Sequence, residues 1–260
     1  MFVATSLSAS IFAESPQSPT KADVNSETPL SPVSDEEFEN RCRTLFDGTI
    51  LTRWEGNAYW FRTEGTAVVA GRLEEKIPKN QFLCTTDRFD NFDLRMEVRM
   101  RGTGRNAGVQ FRSRRPKASD EGVPPNEVIG YQADMGQGQG GSIWGALYDE
   151  SRRKKMLAVP DPRFEVQWKT PEASGISETD AAPESDTVSE TDNVPETAWI
   201  PLRIVCVDDQ IEIYLGGQRT IRYTETDPGI ARSGVIGLQI HSGPPAEAWY
   251  RNVRILSLSQ

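Results

Sequence analysis

The chain is poor in the residues that most often carry enzyme chemistry. It has one histidine, His241, and only three cysteines, Cys42, Cys84 and Cys206, in 260 residues. An odd number of widely spaced cysteines excludes a full disulfide framework and any CxxC metal site, so buried thiols are expected. No stretch approaches the roughly 20 apolar residues that cross a bilayer as a helix. Basic residues are neither clustered nor interleaved with aromatics, which excludes the concentrated positive face that nucleic acid requires. Apolar residues make up 37%, which is lean for a chain folded throughout.

Charge is unevenly spread over the sequence. Residues 1–40 carry a net −6, and residues 171–197 hold eight acidic residues and no cation. Removing both from the total of −9 leaves a remainder of +5. The acidic balance therefore belongs to two appendages. Ser15 to Pro32 is Ser, Pro, Thr and acids with almost nothing to bury, a composition that does not offset its ordering entropy. Phe2 to Ala13 is small and apolar like the core of a signal peptide, and Ala13 before Glu14-Ser15-Pro16 resembles a cleavage site, although a basic start is missing. The expectation is a disordered tail over 1–33 with signal-peptide character and a secreted or periplasmic protein. The acidic stretch 171–197 is expected to be a disordered loop inserted within the domain, because strand patterns resume after it.

Ser34 with Glu37 three residues on matches a capping box and predicts a short helix reaching about Arg43. After Leu45-Phe-Asp-Gly48 the chain changes to short runs of Val, Ile, Phe, Tyr and Trp punctuated by Gly, Pro, Asn and Asp, the pattern of an all-β, two-sheet antiparallel sandwich. Residues 59–63 and 66–70 read as a hairpin around Glu64-Gly65. Phe92, Leu94, Met96, Val98 and Met100 alternate with Asp93, Arg95, Glu97 and Arg99, which predicts a strand with one face in the core and the other an ordinary solvated face. Residues 202–207, 210–215 and 219–224 read as three strands joined at Asp208-Asp209 and Gly216-Gly217, followed by strands over 234–241 and 249–258. Together, residues 34–258 form a single predicted domain.

Three strands carry an unusual polar face. Successive side chains of a strand point to opposite sides, so Gln110 and Arg112 oppose Val109 and Phe111, Gln132 and Asp134 oppose Tyr131, Ala133 and Met135, and Gln239 and His241 oppose Ile236, Leu238 and Ile240. Gln-Arg, Gln-Asp and Gln-His pairs suit the gripping of sugar hydroxyls better than a plain wet face. The loop Gly136 to Gly141 precedes Trp144 and Tyr148 but lacks the Lys-Ser/Thr or strand–turn–helix setting of a phosphate loop. It either delivers these two aromatics to a sugar ring or leaves them packed in the core.

Cutting a glycosidic bond by the familiar route takes two carboxylates, and the Glu-x-Asp-x-x-Glu motif of sandwich glucanases is absent. So are a Gly-x-Ser-x-Gly elbow, HExxH and an EF-hand loop. No metal motif is readable, which leaves open only a divalent ion shared by Asp134 and His241. One acid, one imidazole and one guanidinium suit a different reaction, in which a proton leaves a carbon beside a carbonyl while a cation holds the oxyanion. A histidine titrates near neutrality without help, and an arginine offers a fork of donors to an enolate oxygen.

Several segments, in order from about residue 36 to 257, carry a resemblance. They include Leu45-Phe-Asp-Gly48, Trp54-Glu-Gly56, Asp90-Asn-Phe-Asp-Leu-Arg95, Asn106-Ala-Gly-Val-Gln-Phe-Arg-Ser113, Gly130-Tyr-Gln-Ala-Asp134, Gly145-Ala-Leu-Tyr148 and Gly237-Leu-Gln-Ile-His-Ser-Gly243. These resemble the 3-keto-disaccharide hydrolase family. The resemblance implies a concanavalin A-like jelly roll, a saccharide or keto-saccharide ligand, and cleavage of glycosides already oxidised at C3, where the ketone acidifies the C2–H and permits elimination followed by hydration. Arg112, Asp134 and His241 fall inside family motifs. The expected roles are His241 or Asp134 as base, Arg112 as oxyanion holder, Gln110, Gln132 and Gln239 as hydroxyl readers, and Trp144 and Tyr148 as sugar-binding aromatics. The competing expectation is a carbohydrate-binding module without catalysis.

Overall fold

The computed structural model describes residues 29–30, 33–49, 51–168 and 194–258. The expected tail and acidic insertion lie almost wholly outside the described residues. Helix α1 (Asp35–Arg41) begins as its sequence predicts and ends two residues sooner. Ser34 Oγ accepts the Glu37 N–H at 3.1 Å, while Asp35 to Glu37 in the first turn and Arg41 in the last match the helix dipole. Its buried Phe38 lies under the Arg95 guanidinium, 3.9 Å from the ring centre, which fastens the helix to a sheet.

Sixteen strands follow: β1 (Arg43–Phe46), β2 (Trp54–Glu55), β3 (Phe61–Glu64), β4 (Ala67–Arg72), β5 (Gln81–Thr85), β6 (Phe92–Gly102), β7 (Asn106–Arg114), β8 (Ile129–Gly138), β9 (Gly141–Ser142), β10 (Leu147–Glu150), β11 (Lys155–Ala158), β12 (Ile200–Val207), β13 (Gln210–Leu215), β14 (Gln218–Thr224), β15 (Val235–Ile240) and β16 (Ala246–Ser257). They make two antiparallel sheets. The first runs β14-β13-β12-β6-β16-β4-β3 with β1 added to β16, and the second runs β11-β10-β8-β7-β15-β5-β2 with β9 added to β8.

The predicted hairpins form where turn chemistry allows. Asp208 and the pair Gly216-Gly217 have φ of 51°, 59° and 84°, the left-handed values that two-residue hairpin turns demand. The β6 alternation also holds: Phe92, Leu94, Met96, Val98 and Met100 enter the core between the sheets, each contributing roughly 1.5–3 kcal/mol by burial. From the second sheet, Val109, Phe111, Tyr131, Ala133, Met135, Ile236, Leu238 and Ile240 meet them. The polar partners of these residues are thereby forced to that sheet's outer side.

Two expectations need correction. The outer face of β6 is not plainly solvated, because Asp93 is fully buried beneath Arg95 and Arg203, with Arg203 Nη2 2.6 Å from its carboxylate. Arg99 likewise stacks between Trp199 and Trp249. Long arginine stems cover apolar surface while their heads pair with acids, so this face is closed by its own side chains. Of the cysteines, Cys84 and Cys206 are buried free thiols, but Cys42, just past the helix, is partly exposed.

Candidate functional site

Cross-strand register assembles the polar face into two rows on the outer side of the second sheet. One row reads Phe82, Gln239, Gly108, Asp134, and the next reads Cys84, Gly237, Gln110, Gln132, Tyr148. Strands about 4.8 Å apart put Gln239 and Asp134 on the order of 10 Å from each other across Gly108. The absent side chain at Gly108 is used: a methyl there would lie 2.5 Å from Cγ and Cδ of Gln132. The Gln132 side chain therefore folds across the glycine and reaches the acid.

A directional hydrogen-bond chain results. Ser113 Oγ donates to Gln110 Oε1 at 2.9 Å, Gln110 Nε2 to Gln132 Oε1 at 2.7 Å, and Gln132 Nε2 to Asp134 Oδ1 at 2.7 Å. Each amide uses its donor on the next acceptor, which fixes the orientation of both glutamines. Burial pushes the Asp134 carboxyl up to about 8, with the Glu150 charge adding to the rise and the Gln132 bond opposing it. Burial thus favours the protonated carboxyl, the form that can donate a hydrogen bond.

Two further carboxyls border it. Glu150, two residues beyond Tyr148 on β10, is pushed up to about 7 by burial and by the neighbouring Glu127 charge. Glu127 is raised as well, by burial, while the Ser151 hydroxyl and the charges of His241 and Lys154 pull it down. Ser151 Oγ stands 3.4 Å from both Glu127 Oε2 and Glu150 Oε1. Burial, with the charges of Glu150 and Asp134, also raises the Tyr148 phenol. At the end of β15, His241 places Nδ1 2.6 Å from the Ser242 carbonyl oxygen. A carbonyl only accepts, so Nδ1 is the donor in this contact and Nε2 is the nitrogen left outside it.

The structure thus gathers Gln110, Gln132, Asp134, Gln239, Tyr148 and His241 on one face, and removes two expected members. Arg112 is not there. A bulge between Phe111 and Arg114 interrupts the β7–β8 register, and Arg112 itself adopts φ 47°. The extra residue reverses the alternation and sends Ser113 outward in its place. The guanidinium instead donates to Asp90 O at 2.8 Å, Asp208 O at 2.7 Å and Asn91 Oδ1 at 3.0 Å, tying the second sheet to turns beside the first. Trp144 is buried in the core and takes the packed alternative. Tyr148 is the expected aromatic that remains on the polar face.

Glu127 and Glu150 are the residues that sequence reading missed. Glu150 had a signal, since it shares the parity of Tyr148 in Leu147-Tyr-Asp-Glu150; Glu127 had none. Among the described residues, no group of three or more His, Cys, Asp or Glu is arranged to hold a metal ion. A cleft of about 550 Å³ opens elsewhere, between β1, residues 87–89 and the end of β16, and no polar-face residue lines it.

The profile of the 3-keto-alpha-glucoside-1,2-lyase-like domain matches residues 41–256. No curated protein matches the chain. Among solved structures, a candidate glycosyl hydrolase of Parabacteroides distasonis aligns with TM-score 0.52 and 14% identity over 87% of this chain and 98% of that one. A Bacillus subtilis protein of unknown function with a galectin-like fold aligns with TM-score 0.50 and 9% identity over 86% and 92%. The carbohydrate-binding module CBM66 of Bacillus subtilis gives TM-score 0.48 and 14% identity over 79% and 96%. At such identities the first two likenesses speak to the sandwich fold alone.

Proposed function

Because this chain belongs to the 3-keto-alpha-glucoside-1,2-lyase-like domain family, we propose that its polar face cleaves glycosides whose sugar carries a ketone at C3. A ketone at C3 acidifies the C2–H, and the reaction needs one base for that proton and one donor for the enolate oxygen that forms. His241 Nε2 serves as the base. Its developing positive charge is matched by Glu127, whose carboxyl interacts with the imidazole. Asp134, held neutral by burial, donates to the enolate oxygen in the place once expected for Arg112, as a carboxylic acid kept protonated at neutral pH can.

In the first step the C2–H bond breaks, its proton goes to His241, and its electron pair moves onto the C3 oxygen. In the second, the oxygen pair re-forms the C3 carbonyl, the enolate C2–C3 pair shifts to make the C1–C2 double bond, and the aglycone oxygen leaves C1 with its bonding pair. The departing oxygen takes a proton from the acid on its side, for which Glu150, pushed to about 7, has the suitable acidity. Water then adds across the double bond. The observation carrying this reading is the buried Asp134 carboxyl at the end of the Ser113–Gln110–Gln132 chain.

The test is turnover of a 3-keto glucoside with deuterium at C2. A primary isotope effect and a loss of at least 100-fold in H241Q and D134N are expected; full rates in both variants overturn the assignment. The same glutamine floor also favours a second reading, saccharide binding without catalysis. Affinity for the unoxidised glycoside, with neither turnover nor C2 deuterium exchange of the keto form, would establish that reading instead.

A further inference from the structure

The polar face is complete in composition yet closed. Gln110 and Gln239 are 0% exposed, Gln132 3% and Asp134 4%, although all four lie on the outer side of their sheet. Part of the cover is the segment 115–128, which leaves β7, crosses the sheet and returns to start β8. It is fastened at three places. Arg115 Nη2 donates to Glu55 O at 2.9 Å, Asn126 Nδ2 donates to Asn80 O at 3.1 Å, and the fully buried Val128 packs on Phe82 and Cys84. Phe82 and Cys84 are the cross-strand partners of Gln239 and Gly237, so Val128 sits over the Gln239 end of the floor.

This cover carries two internal penalties. Neither Nε2 nor Oε1 of the buried Gln239 has a hydrogen-bond partner, and an unsatisfied buried amide is costly while a hydrated one is not. The segment's own Glu127 also faces Glu150 on β10 across the Ser151 hydroxyl. Two carboxylates so placed repel once both are ionised. The remaining charged groups that face the pair are His241 and Lys154, which attract Glu127, and Asp149, which adds negative charge near Glu150. Raising the pH ionises both carboxyls, and their repulsion loosens the cover.

We infer that segment 115–128 is a lid over the saccharide floor, held shut by one proton bridging Glu127 and Glu150 through the Ser151 hydroxyl; it opens when both ionise and closes over the substrate once Glu150 regains the proton that it gives to the aglycone. The inference rests on the reading that this face binds the sugar, and it gives that site its gate. Opening hydrates Gln239 or offers both its amide atoms to sugar hydroxyls. It also uncovers Cys84, whose thiol lies beneath Val128.

Cys84 makes the lid measurable without substrate. The full-length protein is treated with iodoacetamide at pH 8, and alkylation of each cysteine is followed by peptide mass. Cys206, buried in the core, reports global unfolding. Comparing variants at one pH cancels the reagent's own pH dependence. Cys84 is expected to react at least 5-fold faster in the wild type than in E127Q or E150Q, and faster still in V128A, with Cys206 unmodified throughout. Equal Cys84 rates in wild type, E127Q and E150Q overturn the lid, as does Cys84 labelling that merely keeps pace with Cys206. Absent turnover with normal Cys84 gating sinks the chemistry alone, whereas turnover with ungated Cys84 sinks the lid alone.

Discussion

Gln132 lies across Gly108, and this single placement brings its Nε2 within 2.7 Å of Asp134 Oδ1. The glycine on β7 is therefore a member of the site although it contributes no atom to it. Gly108→Ala puts a methyl 2.5 Å from two Gln132 carbons and 2.9 Å from the Ala133 carbonyl oxygen. We expect a stability loss of about 1–3 kcal/mol from overpacking and a larger loss of activity, read by urea unfolding beside turnover. An unchanged rate would show that the Gln132–Asp134 bond is dispensable.

The raised acid sets a pH dependence of stability. The folded protein holds the Asp134 proton up to about pH 8, whereas the unfolded chain releases it near 3.8. Over that interval the native state binds the extra proton, so stability falls as pH rises, by at most about 1.4 kcal/mol per unit. Asp134→Asn removes this term. The variant should be more stable than wild type at pH 8, with the difference shrinking toward pH 4. Parallel unfolding curves at the two pH values measure it, and a constant offset would contradict it.

Glu150 makes a separate prediction for catalysis. A carboxyl pushed to about 7 that supplies the aglycone's proton gives kcat a limb falling above that pH. Glu150→Gln should erase the limb and slow poor leaving groups most, since an acidic aglycone departs without help. Equal losses for alkyl and nitrophenyl aglycones would remove Glu150 from this role.

Arg112 is assigned to architecture. Replacing it with Met leaves the carbonyls of Asp90 and Asp208 without this donor, while Asn91 Oδ1 keeps the Asp208 N–H, at a cost of about 2–4 kcal/mol. The folded fraction should keep its KM and kcat within about 3-fold. A selective loss of kcat in fully folded R112M would return it to the chemistry.

Gln239→Leu exchanges an unpartnered amide for an apolar group of similar size. It should raise stability by about 1–2 kcal/mol and weaken saccharide affinity. A destabilised Q239L protein would mean that the amide is satisfied when the protein is free of ligand.

The strand pattern was legible wherever alternation and turn chemistry acted over a few residues. The β6 run, the 202–224 meander with its Asp-Asp and Gly-Gly turns, and the Ser34 cap all form close to where local sequence places them. Gln110, Gln132, Asp134 and Gln239 were legible for the same reason, because parity alone decides the face of a strand residue. Parity failed at Arg112, where one extra residue reversed it; no local feature marks an arginine for φ 47°, and its three acceptors come from turns remote in sequence.

The sequence by itself determined two layers of strands, their buried faces and most of a glutamine-rich polar face, since those follow from a two-residue period and the exclusion of water from apolar side chains. Only the tertiary structure decided which carboxyls become acids of unusual strength and whether the face is open. The cover over Gln239 and the approach of Glu127 to Glu150 depend on a 14-residue segment crossing a sheet to which it does not belong. Desolvation is a property of everything packed around a group, and a linear pattern does not contain it.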